Sequence, residues 1–427
     1  MSAPDLVVFH ARITPCSDAQ TRMGQIGQLH TIPDGALVVR AGKVLRVGDT
    51  EQVLAETTLG PDTELLDAEG RALVPGFVDP HTHALHAGRR IAEMQLRQEG
   101  KGYLEILQAG GGIQETVRAT AAADDAQVIR ATRRRIGEAV AYGTTSLEIK
   151  TGYGLTPERE MHLLRLLGQV RRRAPVTLRR TFLGLHAWPL GDIDRLEHLA
   201  AMNDLLGEVA AKDLADAADV FCEDGVFSAE DTRSHLTAAR AAGLAIRLHA
   251  DELRPSGGAE LAAELGARSA DHLLAATDAG LQAMAEAGVI AVNLPGTAFF
   301  LHEHPLQAER ERQAGLRAAL ATDQNPGSSP TFSMPMVMSL AMHTAGFRPA
   351  EALLAATRNA AAAIGLEDTA GQLAEGFAAD FLLLDDSDYR VLFYAFGMNP
   401  VAQVFAGGRV LAREGRLTEE MRQWIAS

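Results

Sequence analysis

The sequence has very little cysteine, no long apolar run, and fewer basic than acidic residues. Cys16 and Cys222 are the only cysteines among 427 residues, which excludes a disulfide framework and is typical of a reducing compartment. No apolar stretch approaches the roughly 20 residues that cross a bilayer. Residues 1–20 also lack the basic start and apolar stretch of a signal peptide. The sequence therefore predicts a cytoplasmic protein that does not enter a membrane.

The net negative charge of the chain argues against some classes of binding partner. Lys and Arg number 40 against 55 Asp and Glu, which gives a formal charge of −15. Nucleic acids and anionic membrane surfaces attract positively charged proteins, so neither is an expected partner. With 47% hydrophobic and 22% charged residues, the composition is that of an ordinary globular protein. The length is enough for one large domain and a smaller one.

Strand-like and helix-like segments alternate through the middle of the chain. The predicted strands are 76–83, 144–150, 178–186, 219–223, 245–249, 269–273, 289–294 and 318–323. Amphipathic segments lie between them, at 125–140, 157–173, 193–214, 229–242, 259–265 and 278–287. Eight alternations over roughly 250 residues predict a (β/α)8 barrel of the TIM type. A doubly wound open sheet is the alternative, but no Gly-rich phosphate loop follows a first strand.

Short strands without helical periodicity occupy both ends of the chain. They are predicted at 6–9, 36–39 and 44–47, and again at 381–384, 401–405 and 409–411. Helices are predicted between the barrel and the final strands, at 334–345 and 349–364. We expect residues 1–70 and 366–427 to form one composite β-sandwich domain beside a barrel domain of residues 71–365.

Two histidines close the first predicted barrel strand. His81 and His83 follow an apolar run, and alternation along a strand points both side chains the same way, with Cα atoms roughly 6.6 Å apart. Imidazoles placed in this way can share one metal ion at about 2.1 Å. A chance or solvated His-x-His is the alternative. The C-terminal end of a barrel strand is where barrel enzymes hold their active sites, which favours a metal site.

Later predicted strands end in further metal-binding or proton-transferring residues, namely His249, His272 and Asp323. A single buried histidine is usually a hydrogen-bonded core residue, but several at strand ends indicate a site. His81, His83, His249 and Asp323 supply three imidazoles and a carboxylate and leave room for water. A divalent ion lowers the pKa of such a water toward about 7. The pattern predicts metal-assisted hydrolysis.

Several segments resemble the amidohydrolase superfamily in order and approximate spacing. They are residues 75–83, 148–155, 249–252, 269–272 and 321–328, followed by a similar tail at 376–380. Gly-Tyr-Gly-Leu at 152–155 and Asp-Gln-Asn-Pro-Gly-Ser at 323–328 resemble the branch that opens 4-imidazolone-5-propanoate in histidine degradation. The resemblance implies a barrel with a composite β domain, a cytosolic homodimer, one zinc or iron ion per subunit, and a small anionic heterocyclic substrate. The implied product is N-formimino-L-glutamate.

The resemblance also implies substrate contacts. Arg90 would grip the propionate carboxylate, which a guanidinium does in a bidentate manner. His186 would donate to the amide oxygen as negative charge develops on it. The remaining implied contacts are Tyr103, Tyr153, Glu252, Asn325, Gly327 and Ser328. A simple turn is the alternative for residues 325–328.

The implied proton transfers use Asp323 and His272 to take the proton of water and Glu252 to pass one to the departing nitrogen. Strand alternation past His249 would instead direct Asp251 toward the metal. The family's use of Glu252 requires the strand to end at His249.

Three alternatives stay open from the sequence. Cys222 or Glu223 on the fourth strand could bridge a second metal ion, although one ion is expected. A cytosine- or guanine-type deaminase shares the His-x-His, His-x-x-Glu, His and Asp pattern. A non-catalytic scaffold of the same fold is the third alternative, but such proteins usually lose metal ligands, and all four are present here.

Overall fold

An eight-stranded parallel barrel forms the centre of the molecule. The computed structural model describes residues 3–101, 111–191 and 193–427. The barrel strands are β6 Phe77–Asp79, β7 Thr144–Lys150, β8 Thr177–Leu185, β9 Ala217–Cys222, β10 Ala245–Ala250, β11 Ser269–His272, β12 Ile290–Asn293 and β13 Arg317–Leu320. Consecutive strands are neighbours and pair in parallel from β6 to β13. The predicted barrel is confirmed.

The barrel closes through residues that follow β6 and β13. The amide of Asp323 donates to the His81 carbonyl at 3.0 Å, and the amide of His83 donates to the Gln324 carbonyl at 2.9 Å. The first strand was predicted to reach residue 83, but β6 ends at Asp79, before Pro80. The chain pairs again immediately afterwards. Closure therefore aligns the backbones of three predicted metal ligands.

Helices surround the barrel and continue the chain beyond it. They are α1 Thr50–Ala55, α2 Ile91–Gln98, α3 Ile113–Ala122, α4 Asp125–Ala141, α5 Pro157–Arg171, α6 Arg195–Ala211, α7 Ala229–Ala241, α8 Gly258–Leu265, α9 Asp278–Ala287, α10 Pro295–Leu301, α11 Ala308–Ala314, α12 Met334–Ala345, α13 Pro349–Ala355, α14 Arg358–Ala363, α15 Val391–Tyr394 and α16 Glu419–Ala426. Many ends follow local capping chemistry. A capping box between Asp124 and Gln127 begins α4, for example. No helix in the described ranges has the length and apolar character needed to span a bilayer.

The helix predicted over 349–364 is divided into α13 and α14. Thr357 lies at the break, with φ −131° and ψ −94°, outside helical geometry. Its hydroxyl donates to the Leu353 carbonyl at 2.6 Å, which satisfies an acceptor at the end of α13. Apolar periodicity continued through the break, so the sequence pattern did not reveal it.

Both chain ends form a second sheet, as predicted. Its strands are β1 Leu6–Ile13, β2 Ile32–Arg40, β3 Lys43–Asp49, β4 Glu64–Asp67, β5 Ala72–Pro75, β14 Phe381–Leu384, β15 Val401–Ala406, β16 Arg409–Arg413 and β17 Arg416–Leu417. Antiparallel pairing of β14 with β5 joins the C-terminal strands to the N-terminal ones. One buried cluster draws Leu6 and Val8 together with Phe381 and Phe405, whose rings stack at 4.2 Å. The β domain is thus a composite of sequence-distant segments.

A buried acid on α11 should make stability depend on pH. Asn293 donates to Oε1 of Glu311 at 2.9 Å, and burial raises the pKa of Glu311 to about 8. The native state therefore binds more protons than the unfolded state between the ordinary glutamate pKa and about 8, so this group lowers stability as pH rises through that window. We expect Glu311→Gln to raise the melting temperature at pH 9 by about 1 to 4 °C, and by less at pH 6. Thermal unfolding at both pH values measures the change in melting temperature. Glu309→Gln, at an exposed position, is the control. An equal change in melting temperature at pH 6 and pH 9 would contradict the raised pKa of Glu311.

Candidate metal centre and active site

Four side-chain atoms converge at the C-terminal mouth of the barrel. Nε2 of His83 lies 3.2 Å from Nε2 of His81 and 3.4 Å from Nε2 of His249. Oδ1 of Asp323 lies 3.4 Å from Nε2 of both His81 and His83. Donor atoms about 2.1 Å from a tetrahedral ion lie about 3.4 Å from one another. The spacing and chemistry of the three histidines fit a single divalent cation, and Oδ1 of Asp323 lies beside two of them.

Buried carboxylates fix the direction of two of the imidazoles. Asp271 Oδ2 lies 2.6 Å from Nδ1 of His81, and Asp219 Oδ1 lies 3.0 Å from Nδ1 of His249. Because a carboxylate only accepts, each Nδ1 carries a proton and each Nε2 faces the common point. Burial also lowers the pKa of His81 well below its usual value, which keeps that ring neutral. The rings are therefore preset as ligands.

Asp323 is held by a neighbouring hydroxyl. Thr297 on α10 donates to Oδ2 of Asp323 at 2.6 Å, which leaves Oδ1 directed at the histidines. Burial raises the pKa of Asp323 to about 6, so the carboxyl is ionised at neutral pH. The residue adopts φ +50°, a left-handed conformation that turns the chain immediately after the barrel closes.

A buried charged network lies beneath these ligands. Lys150 Nζ contacts Asp219 Oδ2 at 2.6 Å, Glu148 Oε1 at 2.9 Å and Asp271 Oδ2 at 3.5 Å. Arg247 Nη1 contacts the same Glu148 oxygen at 3.1 Å. The sequence argument gave Asp219, Asp271 and Lys150 no role. The sequence did contain an indication of these residues, because a charged residue inside an otherwise apolar strand needs a buried partner.

The turn after β10 directs Glu252 inward. Asp251 adopts φ +49°, and its carboxylate accepts from the amides of Ser256, Gly258 and Ala259 at 2.7, 3.1 and 2.9 Å. This carboxylate holds the loop and the start of α8, so the alternation argument for Asp251 is wrong. Oε1 of Glu252 instead lies 3.5 Å from Nδ1 of His272.

Glu252 and His272 are suited to proton transfer. Burial, followed by the charge of Asp323, raises the pKa of Glu252 to about 8, so this carboxyl carries a proton at neutral pH. Burial lowers the pKa of His272 well below its usual value, so its ring is neutral and can accept a proton. The His272 ring stacks on His249 with centroids 5.3 Å apart. One proton donor and one acceptor therefore lie beside the ligands.

His186 is placed beside the site, but the donor role predicted for it conflicts with its geometry. Its ring stacks on His83 at 4.9 Å with an interplanar angle of 12°. Nδ1 lies 3.0 Å from the Gly152 carbonyl, which can only accept, so Nδ1 carries the proton and Nε2 carries a lone pair. Burial lowers the pKa of His186 to about 3, so the doubly protonated form is not populated at neutral pH. His186 presents an acceptor.

Tyr153 lies on a loop fixed by a buried carboxylate. Glu160 accepts from the amides of Gly152, Gly154 and Leu155 at 3.0, 2.6 and 2.9 Å. This places the ring of Tyr153 6.0 Å from that of His83 and 5.6 Å from that of His186. The same loop supplies the carbonyl that sets the His186 tautomer. Tyr103, the other predicted tyrosine, lies outside the described residues.

Arg90 faces the loop that follows β13. Its guanidinium makes two bonds to Glu93, at 2.9 and 2.6 Å, and its side chain is 8% exposed. Arg97 on α2 donates to the Gly327 carbonyl at 3.0 Å, which ties the two segments together. Arg90 is therefore a fixed cation at the rim of the site.

The predicted contacts Asn325 and Ser328 are engaged in a turn. Oδ1 of Asn325 accepts from the amides of Gly327 and Ser328 at 2.8 and 2.7 Å. Its Nδ2 donates to the Asp323 carbonyl at 2.7 Å and to the Ser328 hydroxyl at 2.9 Å. The segment therefore forms the simple turn that was the alternative to a substrate contact. This turn places Gly327 against Arg90.

A methyl group at Gly327 would collide with Nη1 of Arg90. We expect Gly327→Ala to displace the guanidinium and to raise the KM of an anionic substrate about 10- to 100-fold, the scale of lost charge-assisted bonds. Metal content should not change. Steady-state kinetics with Gly168→Ala as control tests this, because an added methyl at Gly168 on α5 meets no atom within 4 Å. An unchanged KM would show that Arg90 does not bind the substrate.

The candidates for a second metal ligand are occupied elsewhere. Glu223 accepts from the amides of Leu253 and Arg254 at 3.0 and 3.1 Å and from the Ser256 hydroxyl at 2.9 Å. Cys222 is buried, and burial raises the pKa of its thiol to about 11. In the part of the chain that the structure describes, His81, His83 and His249 form the one group of metal-ligating side chains found.

Comparison with known proteins identifies the class to which this fold and site belong. The model of the amidohydrolase family matches residues 72–411. The chain therefore belongs to the amidohydrolase family. It is 44% identical to the imidazolonepropionase of Symbiobacterium thermophilum over 96% of this chain and 98% of that protein. It is 45% identical to that of Desulfotalea psychrophila over 92% and 96%. Within the family it belongs with the imidazolonepropionases, hydrolases that act on a cyclic amide.

Solved structures extend the likeness in fold. An adenosine deaminase from Xanthomonas campestris aligns with a TM-score of 0.75 and 20% identity over 99% of this chain and 98% of that one. An Escherichia coli guanine deaminase aligns with a TM-score of 0.73 and 16% identity over 95% and 98%. At these identities the likeness shows the shared fold alone.

Proposed function

We propose that the chain hydrolyses 4-imidazolone-5-propanoate to N-formimino-L-glutamate with one zinc or iron ion held by His81, His83, His249 and Asp323. The observation that carries this proposal is the convergence of the Nε2 atoms of three histidines, with Nε2 of His83 3.2 and 3.4 Å from those of His81 and His249, and with Oδ1 of Asp323 3.4 Å from the Nε2 atoms of His81 and His83. The identity of 44 to 45% to imidazolonepropionases over most of the chain supports the substrate.

The buried charges support one ion and not two. Four carboxylates surround the site or lie directly beneath it, on Asp323, Asp219, Asp271 and Glu148. Two buried cations, Lys150 and Arg247, pair with them. The two remaining negative charges match a single divalent cation. A second ion would add two positive charges, whereas the nearby carboxylates of Asp251 and Glu223 already accept from loop amides, and the raised pKa of Glu252, about 8, keeps that carboxyl protonated.

Each residue near the site has a proposed task in the reaction. A bound divalent ion would supply Lewis acidity and make water acidic enough to attack at neutral pH. Asp323 and His272 accept the proton of the attacking water, and protonated Glu252 delivers one to the departing ring nitrogen. His186 accepts a hydrogen bond from a ring N–H, in place of the donor role expected from the sequence.

The rim of the site binds the rest of the substrate. Arg90 pairs with the propionate carboxylate, and Tyr153 approaches the ring beside His186. The segment Asn325 to Ser328 contributes backbone groups of its turn. Arg90 separates this reaction from nucleobase deamination, because a neutral base has no carboxylate for a guanidinium to bind.

We further propose a cytoplasmic homodimer, with the composite β domain comprising residues 1–70 and 366–427 together with β5 Ala72–Pro75, which pairs with β14. These assignments rest on the resemblance to the family and on the sequence pattern. Light scattering of the purified protein measures the subunit count, and a mass of about one chain would refute the dimer.

One assay tests the function. Purified protein, with its zinc and iron content measured, is incubated with 4-imidazolone-5-propanoate and, separately, with cytosine and guanine. We expect loss of imidazolone absorbance in proportion to metal content. Release of ammonia from a nucleobase, with imidazolone unchanged, would overturn the proposal in favour of a deaminase.

A further inference from the structure

Lys150 is completely buried and lies between two carboxylates that each hold a ligand histidine. Its ammonium is 2.6 Å from Asp219, which bonds Nδ1 of His249, and 3.5 Å from Asp271, which bonds Nδ1 of His81. Its relative exposure is 0%, as is that of both aspartates. One cation on β7 therefore connects the carboxylates of β9 and β11.

We propose that Lys150 is a positioning residue of the metal centre, whose ammonium holds the carboxylates of Asp219 and Asp271 in place so that His249 and His81 direct their Nε2 atoms at the common point. The inference rests on the proposed metal site. It goes beyond that site because the Lys150 ammonium pairs with Glu148, Asp219 and Asp271, which are neither proposed ligands nor proposed substrate contacts.

The physical reason is the cost of neighbouring buried charges. Two carboxylates that face the same ammonium in a water-free interior repel each other once that ammonium is removed. The repulsion favours rotation of one carboxylate away from its present position. Because each carboxylate fixes the direction of its imidazole through Nδ1, such a rotation would displace the Nε2 atom that a metal needs.

The backbone hydrogen bonds of β7 at Lys150 do not depend on the charge of its side chain. The amide of Lys150 donates to the Thr82 carbonyl at 2.9 Å, and the Thr82 hydroxyl donates to the Glu148 carbonyl at 2.6 Å. These bonds hold the His81–His83 segment and do not involve the side chain of Lys150. Glu148 also keeps Arg247 as a partner at 3.1 Å. Replacing Lys150 therefore removes the shared ammonium and leaves the strand pairing in place.

A matched control is available on the neighbouring strand. Arg180 on β8 is buried, and pairs with Asp213 at 2.9 Å and Asp216 at 3.3 Å. Neither aspartate contacts a ligand histidine in the described hydrogen bonds. Arg180→Met thus removes a buried, paired cation without affecting the metal centre. The Arg180→Met variant therefore measures the effect of losing a structural ion pair on stability and zinc affinity.

The experiment compares zinc affinity in the wild type, Lys150→Met and Arg180→Met by chelator competition on the full-length protein. We expect Lys150→Met to bind zinc about 10- to 100-fold more weakly, the scale seen when partners of ligand histidines are lost. The visible spectrum of the cobalt-substituted protein should change, while the KM for the substrate stays the same. Arg180→Met should keep the wild-type affinity and spectrum, even if it lowers the melting temperature.

Affinity within twofold of wild type, or tighter, with an unchanged cobalt spectrum would overturn the role of Lys150. If Lys150→Met cannot be purified folded, Lys150→Gln gives the same test, because its amide keeps one donor but carries no charge. A wild-type protein that binds no stoichiometric metal would instead refute the proposed function. The two failures are therefore distinguishable.

Discussion

Replacing His249 with alanine is expected to abolish tight metal binding and turnover together. The substitution removes one of three imidazoles whose Nε2 atoms converge, and it leaves Asp219 without the ring that it orients. Loss of the ion removes several kcal/mol of catalytic stabilisation, so activity should fall by about 10³-fold or more. Metal analysis by mass spectrometry and the imidazolone absorbance assay, run on the same preparation, measure both effects.

The control for this variant is a buried histidine outside the site. His235 on α7 is fully buried and bonds Asn203 at 2.6 Å. His235→Ala should lower thermal stability and retain metal and activity. A His249→Ala protein that carries one equivalent of metal at full activity would refute the ligand set.

Glu252→Gln is expected to give the second large loss, this time in kcat alone. Glutamine has the same shape and is neutral like the protonated acid, but it cannot transfer a proton to the leaving nitrogen. General acid catalysis contributes about 10²- to 10⁴-fold, so kcat should fall by that factor, while KM and metal content change little. Steady-state kinetics with metal quantification separates these quantities.

Glu311→Gln provides the comparison for Glu252→Gln. Both acids have a pKa raised to about 8, chiefly by burial, but Glu311 bonds Asn293 away from the ligands. Its variant should keep wild-type kcat. Equal kcat in Glu252→Gln and wild type would remove Glu252 from the proton transfer and leave His272 to be tested next.

The barrel could be predicted because its strands are short, almost fully buried, and separated by amphipathic helices. The segment 144–150 matches β7, and 278–287 matches α9. The clustering of His81, His83 and His249 followed from the same pattern, since strand ends of a parallel barrel share one mouth. The joining of both chain ends in one sheet was also predictable, because both ends have strand-like sequence patterns without helical periodicity.

The features that were missed depend on contacts between distant segments. Neither the partner of Asp219 nor that of Asp271 can be read from spacing, because each lies on a different strand from the histidine that it orients. The inward turn of Glu252 depends on the left-handed residue Asp251 and on three amides from residues 256–259. The His186 tautomer depends on the Gly152 carbonyl, which only the folded loop brings near.

Anomalous diffraction from crystals of the purified protein, collected at the zinc and iron edges, tests the metal site most directly. The account predicts one peak per chain, about 2.0 to 2.2 Å from Nε2 of His81, His83 and His249 and from Oδ1 of Asp323. A peak elsewhere, two peaks at the mouth of the barrel, or no peak in an active preparation would contradict it.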